Sequence, residues 1–187
     1  MNKLYAYVDE TGLHTEGKTF LVGIVIVGNE REQLIQDLEA IERTSGKGNV
    51  KWIESKSTAR LAYIKAVLAH KGFAGSLYYK TYPNPQNYQV LTATATGDAV
   101  LKHAEGEYKV TIFVDALEDV YIRQYGAILR KMQVRTKKVR GIRKEQTDAL
   151  IRLADALCGL AREAQEGKRD PQNILDRAIR DGYVTCL

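Results

Sequence analysis

Three acidic residues stand where a folded chain could bring their carboxylates together. Asp9 follows the apolar run of residues 4–8, and Asp115 follows the β-branched run of residues 109–114. Ligands of open α/β sheets bind outside the carboxyl ends of the strands, so the two carboxylates meet if these strands are neighbours. Paired carboxylates repel each other unless a proton or cation lies between them. A hard divalent ion with oxygen ligands is the usual cation at such a site.

The third acid lies in the apolar helical segment of residues 147–161, which Thr147 is expected to cap. Asp155 has only apolar residues and a cysteine within three positions on its C-terminal side, and a buried aspartate there costs stability unless it is paired or binds metal. Asp148 precedes it by seven residues, about two helical turns, so a continuous helix would place both on one face. Because acids in a first helical turn also favour the helix dipole, Asp148 has a simpler explanation.

Each of the three principal acids has a structural alternative when it is taken alone. Asp9 and Asp115 could be turn formers, because aspartate is common in turns and Asp9 precedes Gly12 by three residues. Asp155 could be the buried salt-bridge partner of a lysine or arginine. The conjunction of the three at the predicted strand ends and helix favours a metal site more strongly than any one residue does.

A basic segment precedes the acidic helix and contains no acidic residue. A ribbon of this kind would hold a polyanion beside the metal site, and phosphate contacts supply affinity without reading sequence. A solvated hairpin is the alternative, but the strong local field favours nucleic-acid binding, with DNA and RNA equally open. The basic residues are Arg130, Lys131, Arg135, Lys137, Lys138, Arg140, Arg143 and Lys144.

Length and composition fit one domain over residues 1–187. The chain is 44% hydrophobic and 27% charged, with a formal net charge of +5, which is ordinary for a globular protein. No apolar run approaches the ~20 residues of a membrane helix, and the N-terminus is not a signal peptide, so we expect a cytoplasmic protein without a membrane partner. The sequence lacks zinc-ligand histidine spacing and a phosphate-binding glycine loop.

Predicted strands and helices alternate, which favours an α/β domain with a mixed sheet. Strands are predicted at residues 4–8, 19–27, 73–82, 109–114 and 134–142, and a short strand or extended piece is predicted at residues 50–53. Helices are predicted at about residues 30–43, 57–70, 86–103, 118–132, 147–164 and 173–180.

Four landmarks in this order resemble a known family. They are the segments Tyr7-Val8-Asp9-Glu10-Thr11-Gly12, Val50-Lys51-Trp52, Val114-Asp115 and Ile151-Arg152-Leu153-Ala154-Asp155-Ala156-Leu157-Cys158-Gly159. They resemble the domain of unknown function numbered 3800 (DUF3800), whose members are similar to ribonuclease H-like folds. Thr11 stands where the family usually has serine, and Arg152 stands where it usually has glutamine.

The resemblance implies a ribonuclease H-like mixed β-sheet flanked by helices, and phosphodiesterase chemistry. Asp9, Asp115 and Asp155 match the metal-binding acids, with Asp148 and Glu10 as additional candidates. Two Mg²⁺ or Mn²⁺ ions, about 3.5–4 Å apart in such sites, would clamp the scissile phosphate and activate water.

Lys51 would orient water or hold a phosphate at that site, although a surface lysine that covers Trp52 is the alternative. A catalytically inactive nucleic-acid-binding or partner-binding module of the same fold remains open as a function. A phosphatase acting on a small substrate is also open, although the basic segment disfavours it.

Overall fold

A computed structural model describes residues 1–12, 19–143 and 148–187 of the chain. In these ranges the strands are β1 (Asn2–Thr11), β2 (Thr19–Val27), β3 (Leu77–Pro83), β4 (Tyr108–Asp115), β5 (Thr136–Ile142) and β6 (Val184–Cys186). The α-helices are α1 (Arg31–Ser45), α2 (Ser57–Ala69), α3 (Tyr88–His103), α4 (Asp119–Lys131), α5 (Ala149–Gln165) and α6 (Arg169–Arg180). Two short 3-10 helices cover Trp52–Glu54 and Lys71–Phe73. None of the described helices combines the length and apolar character needed to span a bilayer.

The strands form one mixed sheet in the order β5-β4-β1-β2-β3-β6. β1 pairs antiparallel with β2 and parallel with β4, so it lies at the centre of the sheet. β4 also pairs parallel with β5, which forms one edge. The apolar runs of β1 and β2 are buried on both faces, as expected for central strands. The predicted α/β architecture is therefore confirmed.

Helices cover both faces of the sheet. Because side chains alternate along a strand, the odd-numbered residues of β1 lie on one face and the even-numbered ones on the other. Tyr7 packs with α1, α2, α5 and α6, on the side that we call the site face. Val8 packs with α3 and α4 on the opposite face.

Gly23 lets α5 lie unusually close to the site face. A Cβ at this position would stand 2.7 Å from the carbonyl oxygen of Ala154 and 2.8 Å from Sγ of Cys158. Gly23 is also the residue of β2 that pairs with Asp9. The absence of a side chain therefore allows the central turns of α5 to pack directly beside Asp9.

Several elements differ from the prediction, among them β1, which covers Asn2–Thr11, and α6, which begins at Arg169. Residues 50–53 do not form a strand, because the Trp52 side chain turns into the core and the segment forms a 3-10 helix. β3 begins at Leu77 rather than at residue 73, because Lys71–Phe73 forms a 3-10 turn. The three-residue strand β6 was not predicted, since so short a run has no detectable periodicity.

The acidic helix begins one residue later than predicted. Asp148 is its N-cap, and Oδ1 of Asp148 accepts hydrogen bonds from the N–H groups of Leu150 and Ile151, at 3.0 and 3.1 Å. Thr147, the predicted cap, lies outside the described residues.

Candidate active site

The carboxylates of Asp9, Asp115 and Asp155 open into one cavity at the carboxyl ends of β1 and β4. Val8 pairs with Val114 across the parallel strands, so the register places Asp9 and Asp115 side by side. Asp155 lies on α5, above them. The cavity has a volume of about 620 Å³ and is lined by Asp9, Asn49, Val50, Lys51, Glu54, Asp115, Ala116, Ile151, Arg152 and Asp155. We call Asp9, Asp115 and Asp155 the carboxylate cluster.

The positive charges near the cluster do not fully compensate its three carboxylates. Burial, followed by the charges of Asp115 and Asp155, raises the pKa of Asp9 well above its usual range. Burial also raises the pKa of Asp155, although a 2.6 Å hydrogen bond from the N–H of Trp52 to Oδ2 opposes the change. Ionising all three carboxylates therefore requires additional positive charge.

Lys51 supplies part of that positive charge. Its Nζ atom lies 2.9 Å from Oδ2 of Asp115, while 45% of the lysine side chain remains exposed. Burial alone would lower the pKa of Lys51, but the charge of Asp9 and the hydrogen bond to Asp115 outweigh it and raise the pKa. Lys51 is therefore a charged internal partner of the cluster, and its ammonium lies where a bound cation would compete with it.

The neighbouring residue, Trp52, attaches this segment to α5. Its ring is fully buried and packs against Gly159, where a Cβ would collide with the ring. The guanidinium of Arg60 lies 5.3 Å from the centre of the ring. Together with the hydrogen bond from Trp52 to Asp155, these contacts fix Lys51 and Trp52 relative to the cluster.

A buried charged network, which the sequence did not predict, supports the same segment. Nζ of Lys47 donates to the carbonyl oxygen of Val50 at 2.7 Å and lies 3.6 Å from Oε1 of Glu42. Glu42 accepts two further hydrogen bonds from Arg152, both 2.7 Å long. Burial lowers the pKa of Lys47, and the charge of Glu42 opposes that change. The network connects α1, the segment before Lys51, and α5.

The structure does not bring Glu10 into the cavity. Because β1 continues to Thr11, Glu10 alternates to the face opposite Asp9. Burial raises its pKa to about 7, with a smaller contribution from Asp115. Oε2 of Glu10 is buried and has no hydrogen-bond partner among the described residues.

Asp148 also lies outside the cavity lining. It is the N-cap of α5, and its side chain turns back to the first N–H groups of the helix. Oδ2 of Asp148 lies 3.2 Å from a guanidinium nitrogen of Arg31. Asp148 is therefore observed as a helix cap and as an ion-pair partner of Arg31, and its role as a fourth acid stays a prediction.

Only some residues of the basic segment lie near the end of the sheet that carries the cluster. β5 runs parallel to β4, so Arg143 follows the strand at the end that carries Asp115. Arg135 precedes β5 at the opposite end, and Arg130 and Lys131 end α4 on the opposite face. Lys137, at the β-bulge of β5, and Lys138 and Arg140 are exposed on the strand itself. Lys144 lies outside the described residues.

The chemistry of the cluster fits a hard divalent cation, because its donors are carboxylate oxygens. The arrangement is nevertheless not a ready metal centre. Within residues 1–12, 19–143 and 148–187, no group of three or more histidine, cysteine, aspartate or glutamate side chains is positioned to hold an ion. Nζ of Lys51 donates to Oδ2 of Asp115, and the backbone N–H of Trp52 donates to Oδ2 of Asp155, so an ion would have to displace these donors or bind the other carboxylate oxygens.

The fold is shared with ribonucleases H. No protein-family model and no curated protein matches the sequence, so membership of DUF3800 stays a prediction. The ribonuclease H2 of Pyrococcus horikoshii OT3 aligns with a TM-score of 0.51 and 12% identity, over 93% of this chain and 98% of that chain. The PCNA:RNase HII complex of Archaeoglobus fulgidus aligns with the same score and identity, over 97% of this chain and 91% of that chain. The chain therefore has a ribonuclease H-like fold, a mixed sheet flanked by helices.

Proposed function

We propose that this ribonuclease H-like domain, residues 1–187, is a divalent-metal-dependent nuclease. The observation that carries the proposal is the convergence of Asp9, Asp115 and Asp155, from three separate elements, in one cavity. A buried carboxylate whose pKa is raised by neighbouring carboxylates, as that of Asp9 is, is typical of sites that bind a cation or transfer protons. Mg²⁺ and Mn²⁺ suit oxygen donors of this kind.

The described residues support this chemistry in distinct ways. A divalent ion held by the cluster would neutralise phosphate charge and lower the pKa of bound water. Asp9, Asp115 and Asp155 would hold the ion. Lys51, released from Asp115, would place its ammonium on a phosphate oxygen at the rim of the cavity.

Charge at the surface supports nucleic acid as the substrate. Lys138, Arg140 and Arg143 approach the cluster along β5, and all three are exposed. Arginine and lysine at such positions bind phosphates regardless of base sequence. The proposal therefore covers DNA and RNA.

A direct test is incubation of the purified protein with single-stranded and double-stranded DNA and RNA, in Mn²⁺, Mg²⁺ or chelator. We expect cleavage of at least one substrate in metal, no cleavage in chelator, and none by the Asp9→Asn, Asp115→Asn double variant. The variant should retain nucleic-acid binding and cooperative unfolding. Cleavage that survives in the double variant or in chelator would contradict the proposal.

One observation favours a second function, an inactive nucleic-acid-binding module of the same fold. The ion pair between Lys51 and Asp115 gives the cluster an internal cation, which a binding module could retain permanently. Nucleic-acid binding without cleavage of any substrate in either metal would select this alternative.

A further inference from the structure

Several basic residues lie on the same face of the sheet as the carboxylate cluster. Lys109, Thr111 and Phe113 share this face with Asp115, because side chains alternate along β4. Lys138 pairs with Thr111, and Arg140 pairs with Phe113, so both basic side chains project from the same face. On the other side of β4, Lys3 of β1 pairs with Lys109.

These positions give a positive charge at each two-residue step along the strands. Each step is roughly 7 Å long, and the row extends roughly 20 Å from Lys109 to Asp115. The step is comparable with the separation of successive phosphates along a nucleic-acid strand. We call Lys3, Lys109, Lys138 and Arg140 the β4–β5 track.

The track is open to solvent and its charges are not neutralised. All four side chains belong to exposed residues, and none forms an ion pair with another described residue. α5 packs mainly over β1 and β2 and leaves this part of the face uncovered. Arg31 lies over the rings of Tyr5 and Phe113, but Glu32 and Asp148 already neutralise it.

We propose that the β4–β5 track binds the sugar–phosphate backbone of one nucleic-acid strand running along β4 and β5 toward the cluster. The inference rests on the proposed function, since the strand is taken to end with its scissile phosphate at the cavity. Charge complementarity selects this occupant, because unpaired cations at three successive levels of the sheet match a regularly charged polyanion.

The position of the track separates it from other basic residues nearby. Arg130 and Lys131 are also exposed and close in sequence, but they end α4 on the opposite face of the sheet. A double substitution of the track can therefore be compared with a double substitution at Arg130 and Lys131. Lys138→Glu with Arg140→Glu changes the track, whereas Arg130→Glu with Lys131→Glu changes net charge by the same amount elsewhere.

Binding is measured by fluorescence anisotropy in EDTA, with labelled single-stranded and duplex DNA and RNA over a range of salt concentrations. We expect the track variant to bind roughly tenfold more weakly near physiological salt. Its log–log salt slope should be smaller by about 0.7 per lost single-strand contact or about 0.9 per lost duplex contact. The control pair should change affinity by less than about threefold at the same salt.

The single-stranded and duplex ligands in this experiment test different forms of the nucleic acid. A selective loss with single strands, with duplexes, or with both supports the track and identifies the form of the ligand. Equal losses in both variants, or no binding by the unaltered protein, overturn the inference. If a charge reversal prevents folding, the same residues are replaced with glutamine instead of glutamate. EDTA prevents metal-dependent cleavage, so the binding experiment is independent of catalysis. If the unaltered protein binds through the track but cleaves no substrate in metal, the proposed nuclease activity is refuted and the proposed binding surface is not.

Discussion

Asp9 is acted on by the charges of two other carboxylates and is almost completely buried, with 6% of its surface exposed. Its ionised form is therefore favourable only when a positive charge lies close to it. The ammonium of Lys51 supplies one such charge, and a divalent ion would supply more. The protonation of Asp9 and the binding of metal are consequently linked.

Metal binding should release a proton from the cluster. Burial and neighbouring carboxylates raise the pKa of Asp9 in the metal-free site, whereas a metal ligand must be deprotonated. Mn²⁺ affinity should therefore increase with pH, by up to about tenfold per unit, until the pH exceeds the raised pKa of Asp9. Isothermal titration calorimetry in two buffers of different ionisation enthalpy measures the proton release. Equal affinity at acidic and alkaline pH would contradict the linkage.

Lys51 should compete with metal for Asp115. Replacing Lys51 with methionine removes the ammonium 2.9 Å from Oδ2 and keeps most of the side-chain volume. We expect Mn²⁺ to bind roughly three- to tenfold more tightly, the modest factor reflecting the partial exposure of the lysine. Cleavage should nonetheless decrease, since the proposed phosphate contact is lost. Lys56→Met, an exposed lysine outside the cavity lining, is the control and should change neither quantity.

The sequence predicted the three principal acids because each follows or interrupts an apolar segment whose type is clear. Glu10 was misplaced for a local reason: the apolar run stops at Val8, whereas β1 continues to Thr11 and its alternation turns Glu10 away. Lys47 could not be predicted, because a lysine between two glycines usually indicates an exposed loop. Its burial depends on Glu42, a residue of another element.

Close packing between elements sets the geometry of the site. Gly23 permits α5 to approach β2, and Gly159 permits Trp52 to pack on α5. At Gly23 the backbone of α5 lies where a side chain would intervene, and at Gly159 the Trp52 ring does. The relative positions of Asp9, Asp155 and Lys51 therefore depend on two glycines that take no part in the chemistry.

Gly159→Ala should destabilise the protein although alanine is the better helix former. The added Cβ collides with the Trp52 ring, and overpacking of this kind costs about 1–3 kcal/mol. Gly126 of α4 is a matched control, because the nearest atom to its Cβ is the end of the Arg130 side chain at 3.6 Å. Gly126→Ala should increase stability by up to about 1 kcal/mol. Urea denaturation measures both, and equal effects would exclude the proposed contact.

Lys47→Met should loosen the segment that carries Lys51. The substitution leaves the carbonyl oxygen of Val50 without its lysine donor, which should cost about 1–3 kcal/mol of unfolding free energy. Trp52 is the only tryptophan, so the emission of the native protein reports directly on this segment. We expect a red shift before unfolding begins. Lys71→Met, at an exposed lysine, should leave the emission unchanged, and an unshifted spectrum for Lys47→Met would contradict the positioning role.

Long elements were predictable and short ones were not. α4 and α5 have strong apolar periodicity, and β2 is a continuous apolar run, so local pattern sufficed for each. The 3-10 helix at Trp52–Glu54 forms because the indole inserts against α5, a contact between residues far apart in sequence. Local pattern alone could not distinguish it from a strand.

At the scale of the whole molecule, the order of strands produces the site. β1 and β4 are separated by about a hundred residues of sequence, yet they are parallel neighbours whose ends coincide. Alternating strands and helices predict a mixed sheet but not which strands adjoin. The family resemblance predicted a ribonuclease H-like mixed sheet, which the alignment with ribonuclease H structures confirms, and the order of the strands comes from the structure.

The same order relates the surface to the cavity. β5 is the edge strand beside β4, so the β4–β5 track and the carboxylate cluster lie on one face. The proposed binding of a nucleic-acid strand and its proposed cleavage would therefore use the same face of the sheet.

The most direct test compares metal-dependent cleavage by four single variants, Asp9→Asn, Asp115→Asn, Asp155→Asn and Asp148→Asn, on the substrate that the unaltered protein cleaves best. Asparagine preserves shape at every position, and at Asp148 it can still cap α5. We expect the first three variants to lose at least about a hundredfold in kcat/KM, equivalent to about 3 kcal/mol or more. Asp148→Asn should retain cleavage within about tenfold. Full activity in any of the first three, or inactivation of Asp148→Asn alone, would contradict the cluster of Asp9, Asp115 and Asp155.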